Sequence, residues 1–321
     1  MDNKNTALVK RNSLILALTS FIWGISFVAQ SEGGQAIGPY SFNCIRSFIG
    51  AIFLVIIISI TDKFGLTKKP DTKEKKQTLL LGGVCCGIVL CIATNLQQMG
   101  IYLGTPSGKA GFLTACYILL VPILGIFLKK KCGLNVWISV LIALIGLYLL
   151  CINGAFYIQL SDLLVMICAF CFSIHIMVID HFTPKVDGLR MSCIQFLTVG
   201  IITFIPMIFV DIRKSASLSI WLDGFTNWDA WIPLLYAGIF SCGIAYTLQI
   251  IGQKGVNPTI ASLIMSLESV FSVIAGWIIL KEKLSFKELM GCVLIFVAVI
   301  LAQLPSKKTK TNNKNKKHIS K

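Results

Sequence analysis

Four ionisable side chains sit inside stretches of chain that are otherwise apolar: Glu268, His175, Arg46 and Lys109. Glu268 lies in residues 258–283, PTIASLIMSLESVFSVIAGWIILKEK. At a helical rise of about 1.5 Å per residue it falls roughly 15 Å from Pro258, close to the middle of a hydrocarbon core about 30 Å thick. An acid at that depth faces a protein interior or a water-filled cavity. Two chemistries suit it: binding the cationic or amine group of a substrate, and taking up and releasing a proton. The plainer role is a hydrogen bond between helices, with Ser266 or Ser269 close by. His175, about 14 residues into its own apolar run, has a side chain whose ordinary titration range suits proton exchange, and a neutral interhelical contact is its plainer role. Arg46 is about five residues into a run, within reach of snorkelling to the surface or of a buried carboxylate, so structural or gating roles stand ahead of substrate contact. Lys109 lies one turn in, after Pro106 at a plausible first helical position, and snorkelling is its default.

Aromatic and amide groups form a second set: Trp23, Phe27, Asn95, Gln97, Tyr117, Gln195, Tyr246 and Gln249. Rings with a few convergent polar groups suit an organic-ligand pocket. Trp23 and Phe27 are four apart and share a helix face; Asn95 and Gln97 are two apart and do not, so one of them is expected to point into packing. Each aromatic taken singly suits a core more than a pocket. The candidate substrate-binding residues are thus Trp23, Phe27, Asn95, Gln97, Tyr117, His175, Tyr246, Gln249, Glu268 and Ser269, with Arg46 and Lys109 as gating or structural residues.

The elements that must position these groups follow from composition. The chain has 321 residues, 55% hydrophobic and 13% charged, the latter about half the share of about 25% usual in soluble domains. Mean hydropathy is +0.80. The apolar residues come in blocks of about 18 to 24, the length a membrane helix needs, without the ten-residue alternation of a β-barrel. Ten spans are expected: 13–30, 41–61, 78–99, 106–128, 134–152, 161–180, 191–210, 231–252, 258–280 and 286–304. Residues 13–30 follow Lys10 and Arg11 but lack an A-x-A cleavage pattern, and read as the first span, not a signal peptide. The longer connection 211–230 is expected to carry a small surface element, with Trp221, Trp228 and Trp231 as interfacial anchors. Glycines 82, 83, 87, 108, 111, 238 and 243 are expected to permit close helix approach, and Pro122 and Pro206 to kink their helices.

The net charge of +15 does not call for nucleic acid, because the basic residues crowd into loops and tails. With the N-terminus cytoplasmic, 22 of them fall on the inside and five outside, so both termini are expected inside a multi-pass protein of the cytoplasmic membrane. The tail 305–321 reads as a solvated basic anchor. The twelve cysteines lie almost wholly in apolar blocks and act as small hydrophobes; Cys168 and Cys171 have no second pair or histidine at zinc spacing, so no metal is expected.

The chain also repeats itself. At an offset of about 150, FNCIRSF (42–48) falls on MSCIQFL, pairing Cys44 with Cys193 and Arg46 with Gln195; Pro106 falls on Pro258, and Lys129 and Lys131 on Lys281 and Lys283. The spans divide five and five, into 13–152 and 161–304, after a short cytoplasmic tail 1–12. Five is odd, so the second set crosses the membrane in the opposite sense, an inverted repeat of the kind that places a substrate site at half-height between the halves. The fold class is therefore all-α, a polytopic membrane protein of ten transmembrane helices in two inverted five-helix repeats.

WGISFV (23–28), the arginine of FNCIRSF, QQMGIYLGTPSGKAGFLTACYILLVP and SLESVFSVIAGWIILKEKLS resemble the EamA-type drug/metabolite transporters over nearly the whole chain. The resemblance implies a carrier of the cytoplasmic membrane for small polar or aromatic metabolites, often an exporter, with no ATPase domain, and it adds weight to Trp23. Where that family commonly has proline after the glutamate, this chain has Ser269. No Walker A, HExxH or GxSxG pattern appears, so no cofactor and no enzyme activity is expected. The expected partners are a small-molecule substrate such as an amino acid or amine, the lipid bilayer, and protons as a candidate coupling ion, in a monomer or homodimer. Two other readings remain open: a membrane-embedded enzyme or lipid-handling protein with Glu268 and His175 as acid and base, and a sensor or assembly subunit without transport.

Overall fold

The computed structural model describes residues 3–67, 69–130, 133–151, 159–213, 215, 217–279 and 285–304. Lys68, Lys131, Lys214, Lys281, Lys283, residues 152 and 280 and the tail from Pro305, which entered the charge and span assignments above, lie outside them. The described residues form helices and turns, with no strand among them: α1 (Asn3–Ile37), α2 (Pro39–Lys63), α3 (Lys73–Tyr102), α4 (Ser107–Ala115), α5 (Tyr117–Phe127), α6 (Leu134–Cys151), α7 (Leu160–Phe182), α8 (Gly188–Pro206), α9 (Leu218–Asp223), α10 (Trp228–Leu235), α11 (Tyr246–Gln253), α12 (Pro258–Met265), α13 (Leu267–Ile279) and α14 (Phe286–Gln303). Among the described residues nine stretches are long and apolar enough to cross a bilayer, and Leu134–Leu150 is a shorter apolar tenth. The expected surface element in 211–230 is α9. Its Trp221 packs on Phe225 and donates to Ser41 Oγ at 3.0 Å, while Trp228 stays exposed.

Local chemistry sets the helix ends. Asn257 caps α12 by accepting from the Thr259 amide, with Pro258 in the first turn; Ser285 with Glu288, and Gln159 with Asp162, form reciprocal caps at α14 and α7. Pro206 ends α8, and the chain continues through a π-helical stretch, Met207–Ile212. A second wide turn, Tyr236–Ala245, follows Pro233 and joins α10 to α11. Proline removes the amide that would continue the regular ladder, which accounts for a change of pitch at both places.

Packing follows the repeat. α6 lies on α14 and α2 on α8, pairs that map onto themselves when the halves are exchanged. α3 packs on α7 as the α10–α11 span packs on α1, and α1 packs on α12 and α13 as α7 packs on α4 and α5. The ninth span is the most enclosed: 72% of Pro258–Ala275 is buried, against 33% of the apolar window in Pro39–Lys63. Large apolar side chains such as Ile52, Ile56, Leu141, Ile145, Val293 and Ile300 point outward, as lipid-facing surface requires.

Small residues let the helices meet. A Cβ on Gly87 of α3 would come within 2.5 Å of Thr198 on α8, and one on Gly291 of α14 within 2.6 Å of the Gly146 carbonyl on α6. Gly83, Gly238 and Gly243 are similarly enclosed, whereas Gly111 has room, with Ser269 Oγ 3.8 Å away. The approach of α6 to α14 therefore depends on backbone meeting backbone. Gly291→Leu should destabilise the protein by about 1–3 kcal/mol or more through overpacking, read as a lowered unfolding temperature of the detergent-purified protein, while Gly111→Ala should leave it nearly unchanged.

Candidate functional site

Two spans are broken at half-height, at corresponding places. α4 stops at Ala115 and α5 restarts at Tyr117; α12 stops at Met265 and α13 restarts at Leu267. Each break is one tight turn, with Leu119 N donating to Cys116 O at 3.0 Å and Ser269 N to Ser266 O at 3.2 Å. Hydroxyls take up carbonyls around the second break: Ser266 Oγ donates to Leu263 O and Ser20 Oγ to Ile264 O. No proline is needed at 269, because the helix has already turned at Ser266. Counted from the breaks, Glu268 corresponds to Ile118 of the first half.

Tyr117 is the first residue after one break and Glu268 the second after the other. The Tyr117 hydroxyl donates to Glu268 Oε1 at 3.0 Å, and both side chains are buried. They line a small cavity whose wall also includes Trp23, Phe27, Gln30, Arg46, Gln97, Thr114, Phe172, Ile176, Ser241, Tyr246, Gln249 and Met265. Both halves contribute. Trp23 stacks obliquely on Tyr246 with ring centres 4.7 Å apart, and Tyr246 meets Phe196 edge-on at 5.2 Å. Gln97 Nε2 donates to Thr114 Oγ1 at 3.0 Å. Trp23 Nε1, Gln30 Oε1 and Gln249 Oε1 are buried without a hydrogen-bond partner among the described residues.

Of the residues singled out from sequence, Trp23, Phe27, Gln97, Tyr117, Tyr246, Gln249 and Glu268 thus share this cavity. Asn95, His175 and Ser269 do not line it. Asn95 is the member of its pair turned into packing, donating to Thr203 at 2.8 Å and accepting from Asn43 at 3.1 Å. His175 is fully buried with Nε2 2.9 Å from Gln195 Oε1, an interhelical contact between α7 and α8. Ser269 Oγ donates to the Gly111 carbonyl at 3.3 Å, tying the ninth span to the fourth. Arg46 does not snorkel; it is 4% exposed and faces the cavity. Lys109 also turns inward, pairing with Asp162 at 2.5 Å between α4 and α7. Gln30, Thr114, Phe172, Ile176, Ser241 and Met265 were not anticipated. Two had a signal: Gln30 extends the helix face of Trp23 and Phe27 by one more turn, and Met265 is three residues before Glu268.

The halves also meet at their ends. Arg190 of α8 pairs with Asp62 of α2, and Lys130, after α5, with Asp180 of α7 at 2.7 Å. At the other end of α2, Asp211 accepts from the Ser41 amide at 2.6 Å and from its hydroxyl at 2.9 Å. Asp62 and Asp211, like Ser41 and Arg190, stand at the same offset as the FNCIRSF repeat, so the two contacts are counterparts.

Among the described residues, nine membrane-length stretches and a shorter tenth form two inverted halves around a cavity lined by both, the arrangement of a multi-pass membrane transporter. The chain matches the EamA-like transporter family over residues 11–152 and 159–304, and it belongs to that family. An uncharacterized transporter of Archaeoglobus fulgidus is 26% identical over 290 residues, covering 90% of this chain and 84% of the relative. The uncharacterized transporter YoaV of Bacillus subtilis is 22% identical over 293 residues, covering 89% and 94%. A solved crystal structure shares the fold at a TM-score of 0.73 and 17% identity, over 94% of this chain and 99% of that one.

Tyr117 is the side-chain partner of Glu268, so Tyr117→Phe leaves a buried carboxyl unsatisfied. The expected loss is about 1–3 kcal/mol of stability. In a cycle with Glu268→Gln the two losses should be non-additive, as measured by thermal unfolding in detergent.

Proposed function

We propose that this protein is a secondary transporter that exports small organic metabolites, amino acids, amines or related compounds, across the cytoplasmic membrane, with both termini cytoplasmic. The observation that carries the reading is the half-height cavity, where aromatic rings and amides from both halves surround one buried carboxyl. Rings supply apolar contact and the amides and carboxyl fix orientation, the mixture that organic ligands require. The halves, 13–152 and 161–304, rock about this point, so that the cavity faces each side in turn. Ion pairs at the ends, Arg190–Asp62 and Lys130–Asp180, are the contacts that must separate on one side; Lys109–Asp162 and Asp211–Ser41 are those that must separate on the other.

Glu268 is the residue assigned to substrate or proton binding, with Trp23, Phe27, Gln97, Tyr117, Tyr246 and Gln249 around it. Arg46 and Lys109 retain the structural or gating assignment in this reading. An acid–base enzyme using Glu268 and His175 gains no support, because His175 is held by Gln195 and does not line the cavity.

The test is counterflow in proteoliposomes with amino acids, amines, nucleosides and sugars, run with and without a pH gradient. Exchange of at least one class is expected, and Glu268→Gln should abolish it or uncouple it from the gradient while the protein still inserts in the membrane. Wild-type vesicles that exchange none of these compounds overturn the reading; unchanged proton-linked flux in the variant removes Glu268 from coupling.

A further inference from the structure

We propose that a groove at the end of the bundle where α1 begins binds the phosphate headgroup of an anionic phospholipid, held by Lys69 and Lys75 of the first half and Lys185 and Lys254 of the second. This site is separate from the central cavity and does not depend on what that cavity carries.

The groove lies where the connection from α2 to α3 and the first turns of α3 meet the connection from α7 to α8 and the residue after α11. Four lysines and one aspartate, Asp187, line it. The carboxylates nearby are already committed. Asp187 caps α8 by accepting from the Arg190 amide at 2.9 Å. Asp62 serves Arg190, the Thr67 hydroxyl at 2.7 Å and Lys69 at 3.5 Å, so one carboxylate answers two cations and fixes the loop. Lys75 pairs with Asp71 at 2.7 Å, an exposed contact worth little. Lys185 has its Nζ 2.8 Å from His181 Nε2, a ring nitrogen that brings no negative charge. Lys254, whose carbonyl is fixed by Asn12 at 2.6 Å, has no carboxylate within ion-pairing distance of its side chain among the described residues. The groove thus carries surplus positive charge, and a phosphate, with several acceptor oxygens, suits ammonium groups that arrive from several directions.

Membrane topology asks for basic residues in loops, but it does not ask that lysines of separate connections converge on one groove. The repeat supplies a comparison. Asp62 and Asp211 are counterparts, yet the groove beside Asp211, between Ile37, Tyr102 and Trp221, has no lysine or arginine among the described residues of its wall. Apolar wall residues favour a lipid over a soluble phosphate. Leu66, Pro70, Pro184 and Val186 are interspersed with the lysines, and Leu66 is 75% exposed. The groove sits where α2 ends and α3 begins, and α3 next presents Leu80 and Leu81 outward, so its level is that of the headgroups. An anionic phospholipid meets both features, its phosphate facing the lysines and its glycerol and first methylenes covering apolar side chains that a soluble anion leaves in water. Seated there, it bridges the two halves beside the Asp62–Arg190 contact.

The test is native mass spectrometry and thermal unfolding of the full-length protein, delipidated in a neutral detergent and titrated with dioleoylphosphatidylglycerol or dioleoylphosphatidylcholine. The phosphatidylglycerol should bind about tenfold or more tightly than the phosphatidylcholine and raise the unfolding temperature. Lys185→Gln combined with Lys254→Gln should lower that affinity about tenfold or more, since roughly a factor of five is expected per lysine facing an anionic lipid. The control, Lys73→Gln combined with Lys76→Gln, removes the same charge from exposed lysines of α3 outside the groove and should cost less than about threefold. Equal losses in the two double variants reduce the effect to diffuse attraction and overturn the proposal, as does phosphatidylcholine that binds as tightly as phosphatidylglycerol. Competition by millimolar inorganic phosphate overturns it too, by making the groove a site for a soluble anion. The lipid comparison and the phosphate competition use the wild type alone, so each can overturn the proposal even if a variant fails to fold.

Discussion

A hydrocarbon bilayer gives a polar group no partner, and this single constraint arranges the protein. Glu268, midway along an apolar run, must be enclosed by other helices, and the ninth span that carries it is accordingly the most buried one. Its neighbour α1 approaches closely enough to enclose it because Gly24 meets the backbone of Phe271 and Ser272. Outer faces become uniformly apolar, while hydroxyls, amides and charges collect along the line where the two halves touch.

The same constraint explains why the fourth and ninth spans break where they do. A broken helix exposes carbonyls and amides that lipid cannot satisfy, so breaks are tolerated only inside the bundle. Here tight-turn hydrogen bonds and the hydroxyls of Ser20 and Ser266 take up the freed groups. The breaks turn Tyr117 and Glu268 toward each other across the halves, and their hydrogen bond joins the two discontinuities.

The spans were legible in the sequence because apolar length is imposed by bilayer thickness, and helices such as Pro39–Lys63 and Phe286–Gln303 agree with the expected 41–61 and 286–304 within two residues. The repeat was legible through Cys44 and Cys193. What a single residue does across the interface was not. Tyr117 and Glu268 appeared as separate candidates, since nothing local signals that residues 151 apart in sequence will bond. The break at Ser266 was hidden because serine, unlike proline, does not demand one. Thr114, Phe172, Ile176 and Ser241 were overlooked for a related reason: within apolar runs these residue types are ordinary, and only their place on the cavity wall distinguishes them. Lys109 was expected to reach for water, and Arg46 either to do so or to meet a buried carboxylate, yet Asp162 and the cavity respectively offered them positions inside.

The contacts at the two ends of α2 are geometric counterparts but not chemical ones. Asp62 faces a guanidinium, whereas Asp211 faces a serine amide and hydroxyl backed by the Trp221 indole. An ion pair loosens as dissolved salt rises, least where it is shielded from water, so the Asp62–Arg190 end of α2 carries a contact that the solution on its own side of the membrane can tune.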